Sequence, residues 1–266
     1  MNHPQSTAIS TFLCLAVALP AQEGEKPQAK ESSAKSAVKA PKDDATTAKD
    51  IAVVAIDEFI EKQKVDKKSP NWRTSLTAPP KQKFDDKSDY FWHVETTVGP
   101  LKIQFHPDTA PMHVTNGIYL SRLGFYDGLK FHRIIKGFMA QGGCPKGNGS
   151  GSPGYQFGGE FTGGRKHDKA GVLSTANAGP NTDGSQFFIT FGERQSLDGG
   201  YTIWGQVVEG VDTTLKEIEA TGTEGEGRLA NPPAIVRAWV SVAPKAKSEE
   251  KPKDAEKPKD AGKSGK

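Results

Sequence analysis

The stretch Phe131-His-Arg-Ile-Ile-Lys-Gly-Phe-Met-Ala-Gln-Gly-Gly143 contains two short extended runs with a Lys-Gly turn between them. Successive side chains of a strand point to opposite faces. The segment therefore sets an arginine, bulky apolar residues and a glutamine on consecutive strands. Upstream, Tyr90, Trp92, Val94 and Thr96 share one strand face, and Val98-Gly99-Pro100 turns into a second strand with Leu101, Ile103 and Phe105 inward. Pro111 opens a helical pattern through Leu120 and Leu123 that Gly124 ends. Downstream come a Gly-rich loop over 142–164, short strands near 171–175, 186–190 and 202–208, and a second helix over 211–220. A last strand over 235–242 sets Val236, Ala238, Val240 and Val242 on one face. Many short strands with only two helices predict a mainly β fold, a closed antiparallel barrel capped at its ends.

Composition confines that fold to part of the 266 residues. Residues 22–49 and 244–266 are almost wholly Lys, Glu, Asp, Ala, Ser, Pro and Gly, too poor in apolar surface to offset the entropy of ordering. The expected organisation is a signal peptide over 1–21, a disordered Lys/Ala-rich extension over 22–85, one domain over 86–243, and a disordered Lys/Pro-rich tail over 244–266. The signal rests on the apolar run 12–19, too short to span a bilayer, and on a cleavage point after Ala21. It predicts an exported protein, periplasmic or secreted, whose only remaining cysteine is Cys144. Inside the extension, Asp50 caps a helix expected over 51–65, with Val53, Ile56, Phe59 and Ile60 on one stripe. That helix either packs on its own domain or docks a partner.

The chain carries 35 Lys+Arg and 32 Asp+Glu. Residues 86–243 hold 14 basic and 16 acidic groups, so the net positive charge belongs to the flanking segments. A specific nucleic-acid-binding groove on the domain is thereby disfavoured. The histidines at 93, 106, 113, 132 and 167 lack metal-ligand spacing and read as ordinary strand or surface residues. Gly147-Asn-Gly-Ser-Gly-Ser152 lacks the Gly-Lys-Ser/Thr of a phosphate loop and reads as a flexible surface loop.

A second informative segment, Ser174-Thr-Ala-Asn-Ala-Gly-Pro-Asn-Thr-Asp-Gly-Ser-Gln-Phe-Phe-Ile189, adds an amide-rich turn and then aromatic residues. Together with 131–143, and with Leu197-Asp-Gly-Gly-Tyr-Thr-Ile-Trp-Gly-Gln-Val-Val-Glu-Gly210, it resembles the signature segments of cyclophilins over roughly residues 90–242. The resemblance implies an eight-stranded barrel with two helices and peptidyl-prolyl cis-trans isomerase activity. By position, Arg133 corresponds to the catalytic arginine. Phe138, Met139, Phe188 and Leu197 match the pocket for the proline ring. Gln141, Ala176, Asn177 and Gln186 match the groove for the peptide backbone. Tyr201 falls where many members have histidine, Ser196 where many have tryptophan, and Gly117 replaces a bulky residue. From spacing alone the apolar members read as core and Arg133 as half of an ion pair.

The implied chemistry needs no cofactor, metal or covalent intermediate. Its partners are proline-containing polypeptides, with a monomeric core and weakened cyclosporin binding expected from Ser196. The alternative is a non-catalytic module that binds proline-containing peptides in the same groove.

Overall fold

The computed structural model describes residues 43–245. The expected signal peptide, the extension as far as residue 42 and the tail from residue 246 lie outside these residues. The elements are α1 (Ile51–Gln63), β1 (Ser88–Thr96), β2 (Gly99–Phe105), α2 (Pro111–Arg122), β3 (Arg133–Ile135), β4 (Met139–Gly142), β5 (Val172–Thr175), β6 (Phe187–Thr190), β7 (Ile203–Glu209), α3 (Lys216–Ala220) and β8 (Ile235–Pro244). A π-helical turn, Val211–Leu215, leads into α3.

All eight strands join one antiparallel sheet in the order β3-β4-β6-β5-β7-β2-β1-β8. The sheet has two ends and is not the closed barrel expected from the sequence. The reason lies at the outer edge of β3, which a loop already occupies: Ile134 N donates to Gly227 O at 2.7 Å, and Lys136 N donates to Thr223 O at 3.2 Å. At that end the start of β8 and the residues before it meet only the segment that precedes β3, where Phe131 N donates to Pro233 O at 2.9 Å and Ile235 N to Leu129 O at 2.8 Å. The edge of β8 is itself covered by side chains. Asp127 Oδ1 accepts from Ala238 N at 2.9 Å, and Thr47 Oγ1 accepts from Val242 N at 2.8 Å. An edge satisfied this way presents fewer free groups to another strand.

The period-two reading holds in β1 and β2, whose residues 90, 92, 94, 101, 103 and 105 are all buried. It fails at the start of β8. A bulge against β1 between Glu95 and Thr96 turns Ile235 inward and leaves Val236 50% exposed.

The boundary expected at residue 86 does not separate the fold from what precedes it. Val53 and Ile56 of α1 belong to the same core as Tyr90, Val114 and Val240. Asp50 caps α1 through Val53 N at 3.0 Å, and its other oxygen accepts from the buried Tyr90 hydroxyl at 2.7 Å. Phe59 meets Tyr119 edge-on at 5.6 Å, and Arg122 of α2 bridges Asp57 and Asp43. Farther along, Arg73 Nη2 donates to Asp127 O at 2.7 Å and Leu76 N to Pro153 O at 2.9 Å. Residues 43–85 thus wrap α2, the α1 stripe packing on its own domain. Each fully buried aliphatic side chain of that stripe contributes about 1.5–3 kcal/mol.

Candidate functional site

Strand register gathers the central candidates. Arg133 of β3 lies opposite Gln141 of β4, Gln141 opposite Phe188 of β6, and Phe188 opposite Ser174 of β5. Their strand neighbours Ile134, Ala140, Phe187, Ile189 and Leu173 belong to the core. Alternation therefore sends the row from 133 to 174 to the other face of the sheet. Met139, two residues from Gln141, shares that face and is 2% exposed; Phe188 is 5% exposed.

Arg133 is held at one point, its Nε donating to Glu226 O at 3.2 Å. Among the described residues its two Nη groups have no hydrogen-bond partner. Among the described residues the guanidinium therefore forms no ion pair, unlike the structural pair that spacing alone suggested.

The amide groups divide into struts and a free acceptor. Gln186 Nε2 donates to Gly149 O and Gly151 O at 2.8 and 2.9 Å, while its Oε1 accepts from Gln141 Nε2 at 3.1 Å. Gln186 is a strut, while Gln141 Oε1 has no hydrogen-bond partner among the described residues. Ala176 N donates to Gln186 O at 3.0 Å, extending the strand edge. Asn177 is engaged as well: its Nδ2 donates to Gly200 O at 3.2 Å and its Oδ1 accepts from Gly179 N at 3.3 Å. That amide ties the 176–182 turn to the segment carrying Tyr201. Beside Gln141 opens a cavity of about 240 Å³ whose wall includes Gly149, Ser150, Ser152, Gln156 and Thr182. The loop 147–152, read as a flexible surface loop, is part of that wall and is pinned from below. Gly149 N and Gly151 N both donate to the buried Cys144 Sγ, at 3.2 and 3.3 Å.

The apolar candidates are spread over three segments. Phe138 sits in the turn between β3 and β4, where Gly137 takes φ 65°, and the Arg194 guanidinium stands 5.7 Å from its ring centroid. Tyr201 meets Phe188 edge-on, centroids 5.4 Å apart. Leu197 ends the 3-10 turn Gln195–Leu197, and Gly200 N donates back to its carbonyl at 3.2 Å. Ser196 in the same turn is exposed.

Sequence reasoning passed over the contacts of three side chains. Arg194 carried no pattern that marked it. His113 and His167 are not ordinary strand or surface residues, being 2% and 0% exposed and doubly bonded. The carboxylates that engage them lie 31 or more residues away, so neither pairing shows in local spacing.

Comparison with known proteins agrees with this geometry. The family described as "Cyclophilin type peptidyl-prolyl cis-trans isomerase/CLD" matches residues 91–240. The chain belongs to that family. It is 42% identical over 150 residues to a peptidyl-prolyl cis-trans isomerase of Arabidopsis thaliana, covering 55% of this chain and 91% of that one. It is 44% identical over 158 residues to "Peptidyl-prolyl cis-trans isomerase-like 2" of Cryptococcus neoformans, covering 57% of this chain but 27% of the relative's length. Its fold is similar to a crystal structure of a Cryptosporidium parvum cyclophilin in the presence of the dipeptide Ala-Pro. That match has a TM-score of 0.54 and 34% identity, over 56% of this chain and 98% of the other.

Proposed function

We propose that this chain isomerises X–Pro peptide bonds of exported proteins and so assists their folding. The observation that carries the reading is the row Arg133–Gln141–Phe188 across β3, β4 and β6, with no hydrogen-bond partner at the Nη end of the guanidinium among the described residues. Rotation about an X–Pro bond must break amide resonance, a barrier of about 18–20 kcal/mol. In the twisted state the prolyl nitrogen becomes pyramidal and regains its lone pair. A guanidinium donating to that nitrogen stabilises the twisted state more than the planar one, which is the condition for acceleration.

In this reading Phe138, Met139, Phe188, Leu197 and Tyr201 hold the proline ring. Gln141 Oε1 accepts from the peptide backbone beside it, and the Ala176 and Asn177 segment lies along the same chain. One side of the bond is fixed while the other turns. A hundred-thousand-fold acceleration requires about 7 kcal/mol of differential stabilisation, within the range that a few preorganised contacts supply. Export is supported by the apolar run 12–19 followed by Ala21. The test is a protease-coupled isomerase assay on a short Ala-Pro peptide. Turnover that Arg133→Ala removes supports the enzyme. Peptide binding without turnover identifies a binding module instead.

A further inference from the structure

Every polar atom of His167 is joined to the turn that carries Leu197 or to the strand beside Phe188. Its backbone N and its Nδ1 both reach Asp198 Oδ1, at 2.9 and 2.8 Å. Its Nε2 meets Ser174 Oγ of β5 at 2.8 Å. Its carbonyl accepts from Arg194 N at 2.6 Å. The buried ring lies nearly parallel to Phe188, centroids 5.9 Å apart and planes 16° apart. An ionised carboxylate only accepts hydrogen bonds, so Nδ1 carries a proton; in the neutral ring Nε2 then accepts from the Ser174 hydroxyl.

We propose that His167 is a positioning residue for the isomerase site. It locks the turn 194–198, and with it Leu197, against Phe188, and so sets the width of the proline slot. The inference rests on the isomerase reading above, because that reading supplies the slot's occupant. The turn lies outside the strand ladder and has short-range bonds of its own, such as Leu197 N to Arg194 O at 3.0 Å. The other charged contact of Asp198 is Lys166 at 3.5 Å, a long contact to an exposed, solvated lysine side chain. The His167 bonds thus tie this turn to β5, while the residues after it are held separately by Asn177 at Gly200 O and by Thr175 N at Thr202 O. A slot that grips the ring alike in planar and twisted peptides provides uniform binding, whose loss raises KM and spares kcat.

The experiment uses the full chain and a short Ala-Pro peptide, with steady-state kinetics and amide hydrogen exchange over residues 194–201. His167→Ala is expected to raise KM about five- to twentyfold with kcat within about twofold, whereas loss of a transition-state contact lowers kcat. Amides of 194–198 exchange faster in the same variant. Asp198→Ala repeats both effects and stands in if His167→Ala does not fold. Asp198→Asn recovers most of the loss, because its amide oxygen accepts the same two bonds. His93→Ala removes another stacked histidine, 5.0 Å from Trp239 and on β1, and leaves KM unchanged. Unchanged KM and exchange in folded His167→Ala, or a KM rise shared by His93→Ala, overturns the proposal. A wild type without turnover refutes the isomerase reading instead, and exchange at 194–201 then decides the tether by itself.

Discussion

Gly117 of α2 faces the indole of Trp204 of β7 so closely that a Cβ at 117 would lie 2.6 Å from Trp204 Cζ3. Trp204 is stacked on Phe105 at 5.4 Å and lies 5.8 Å from Trp92, so it has little room to yield. The glycine is the space in which the indole fits. Gly117→Ala gains about 1 kcal/mol of helix propensity but is expected to lose about 1–3 kcal/mol to overpacking. Denaturant unfolding of Gly117→Ala, Trp204→Phe and the double variant checks it. The two effects should be strongly non-additive, the smaller ring relieving the added methyl.

Arg133→Ala is expected to fold normally and lose two or more orders of magnitude in kcat/KM, about 3 kcal/mol of transition-state stabilisation. Arg133→Lys is also impaired, because an ammonium does not reproduce the planar fork held by Glu226 O. Near-wild-type turnover in either folded variant removes the mechanism.

Asp50 serves two buried partners, the α1 cap at Val53 N and the Tyr90 hydroxyl. Asp50→Ala is expected to cost about 1–3 kcal/mol, a lost cap plus a phenol left unpaired. Limited proteolysis of the wild type should stop near residues 43 and 245 rather than at 86, since 43–85 is packed on α2. A stable, active fragment that begins at residue 86 would contradict that packing.

His113 lies between Glu160 Oε2, 2.7 Å from its Nδ1, and Asp183 Oδ2, 2.8 Å from its Nε2. Burial opposes a charged ring, but the hydrogen bonds and charges of Asp183 and Glu160 outweigh it and raise the pKa above 6.5. A group raised on folding stabilises fully below its unfolded pKa, and that contribution is lost as pH climbs through the folded value. The Tm difference between wild type and His113→Gln should therefore shrink from pH 6.5 toward 9, about 2–4 °C per kcal/mol for a fold of this size. His93, His106 and His132 are shifted downward by burial, His106 to about 4, so their effects fall below that window. A difference that stays constant over the window would exclude an imidazolium at 113.

Ser196 is exposed in the turn 195–197, where many cyclophilins carry a tryptophan. Without that ring, cyclosporin inhibition is expected to be weaker by about ten- to a hundredfold, the equivalent of about 1–3 kcal/mol. Ser196→Trp should tighten inhibition in the isomerase assay with little change in turnover. Potent inhibition of the wild type, unchanged by the substitution, would show that 196 is not at the ligand's edge.

The inward faces of β1 and β2 were legible because alternation in the sequence is alternation in space. The row from Arg133 to Phe188 was legible because whole segments matched a family. The open sheet was not, since nothing local to β3 announces that Gly227 and Thr223 will occupy its edge. Val236 was misread because a bulge shifts the period by one residue. Asn177 and Gln186 were expected to grip a peptide backbone, but their amide nitrogens donate to Gly200, Gly149 and Gly151 of the chain itself. That distinction exists only in three dimensions. The packing of 43–85 was hidden by its polar composition, which masks the few apolar residues that anchor it.

Thr47 reaches Val242 across 195 positions of sequence, and Arg122 reaches Asp43 across 79. Contacts of such separation close the largest loops and are slow to nucleate, so they form late in folding. The strap over α2 is therefore expected to be absent from the folding transition state. Weakening it, as Asp50→Ala does, should leave the refolding rate nearly unchanged and speed unfolding, which stopped-flow chevrons would resolve. The wrapping of α2 by the strap thus governs how long a folded molecule persists, while the sheet beneath it governs how quickly one is made.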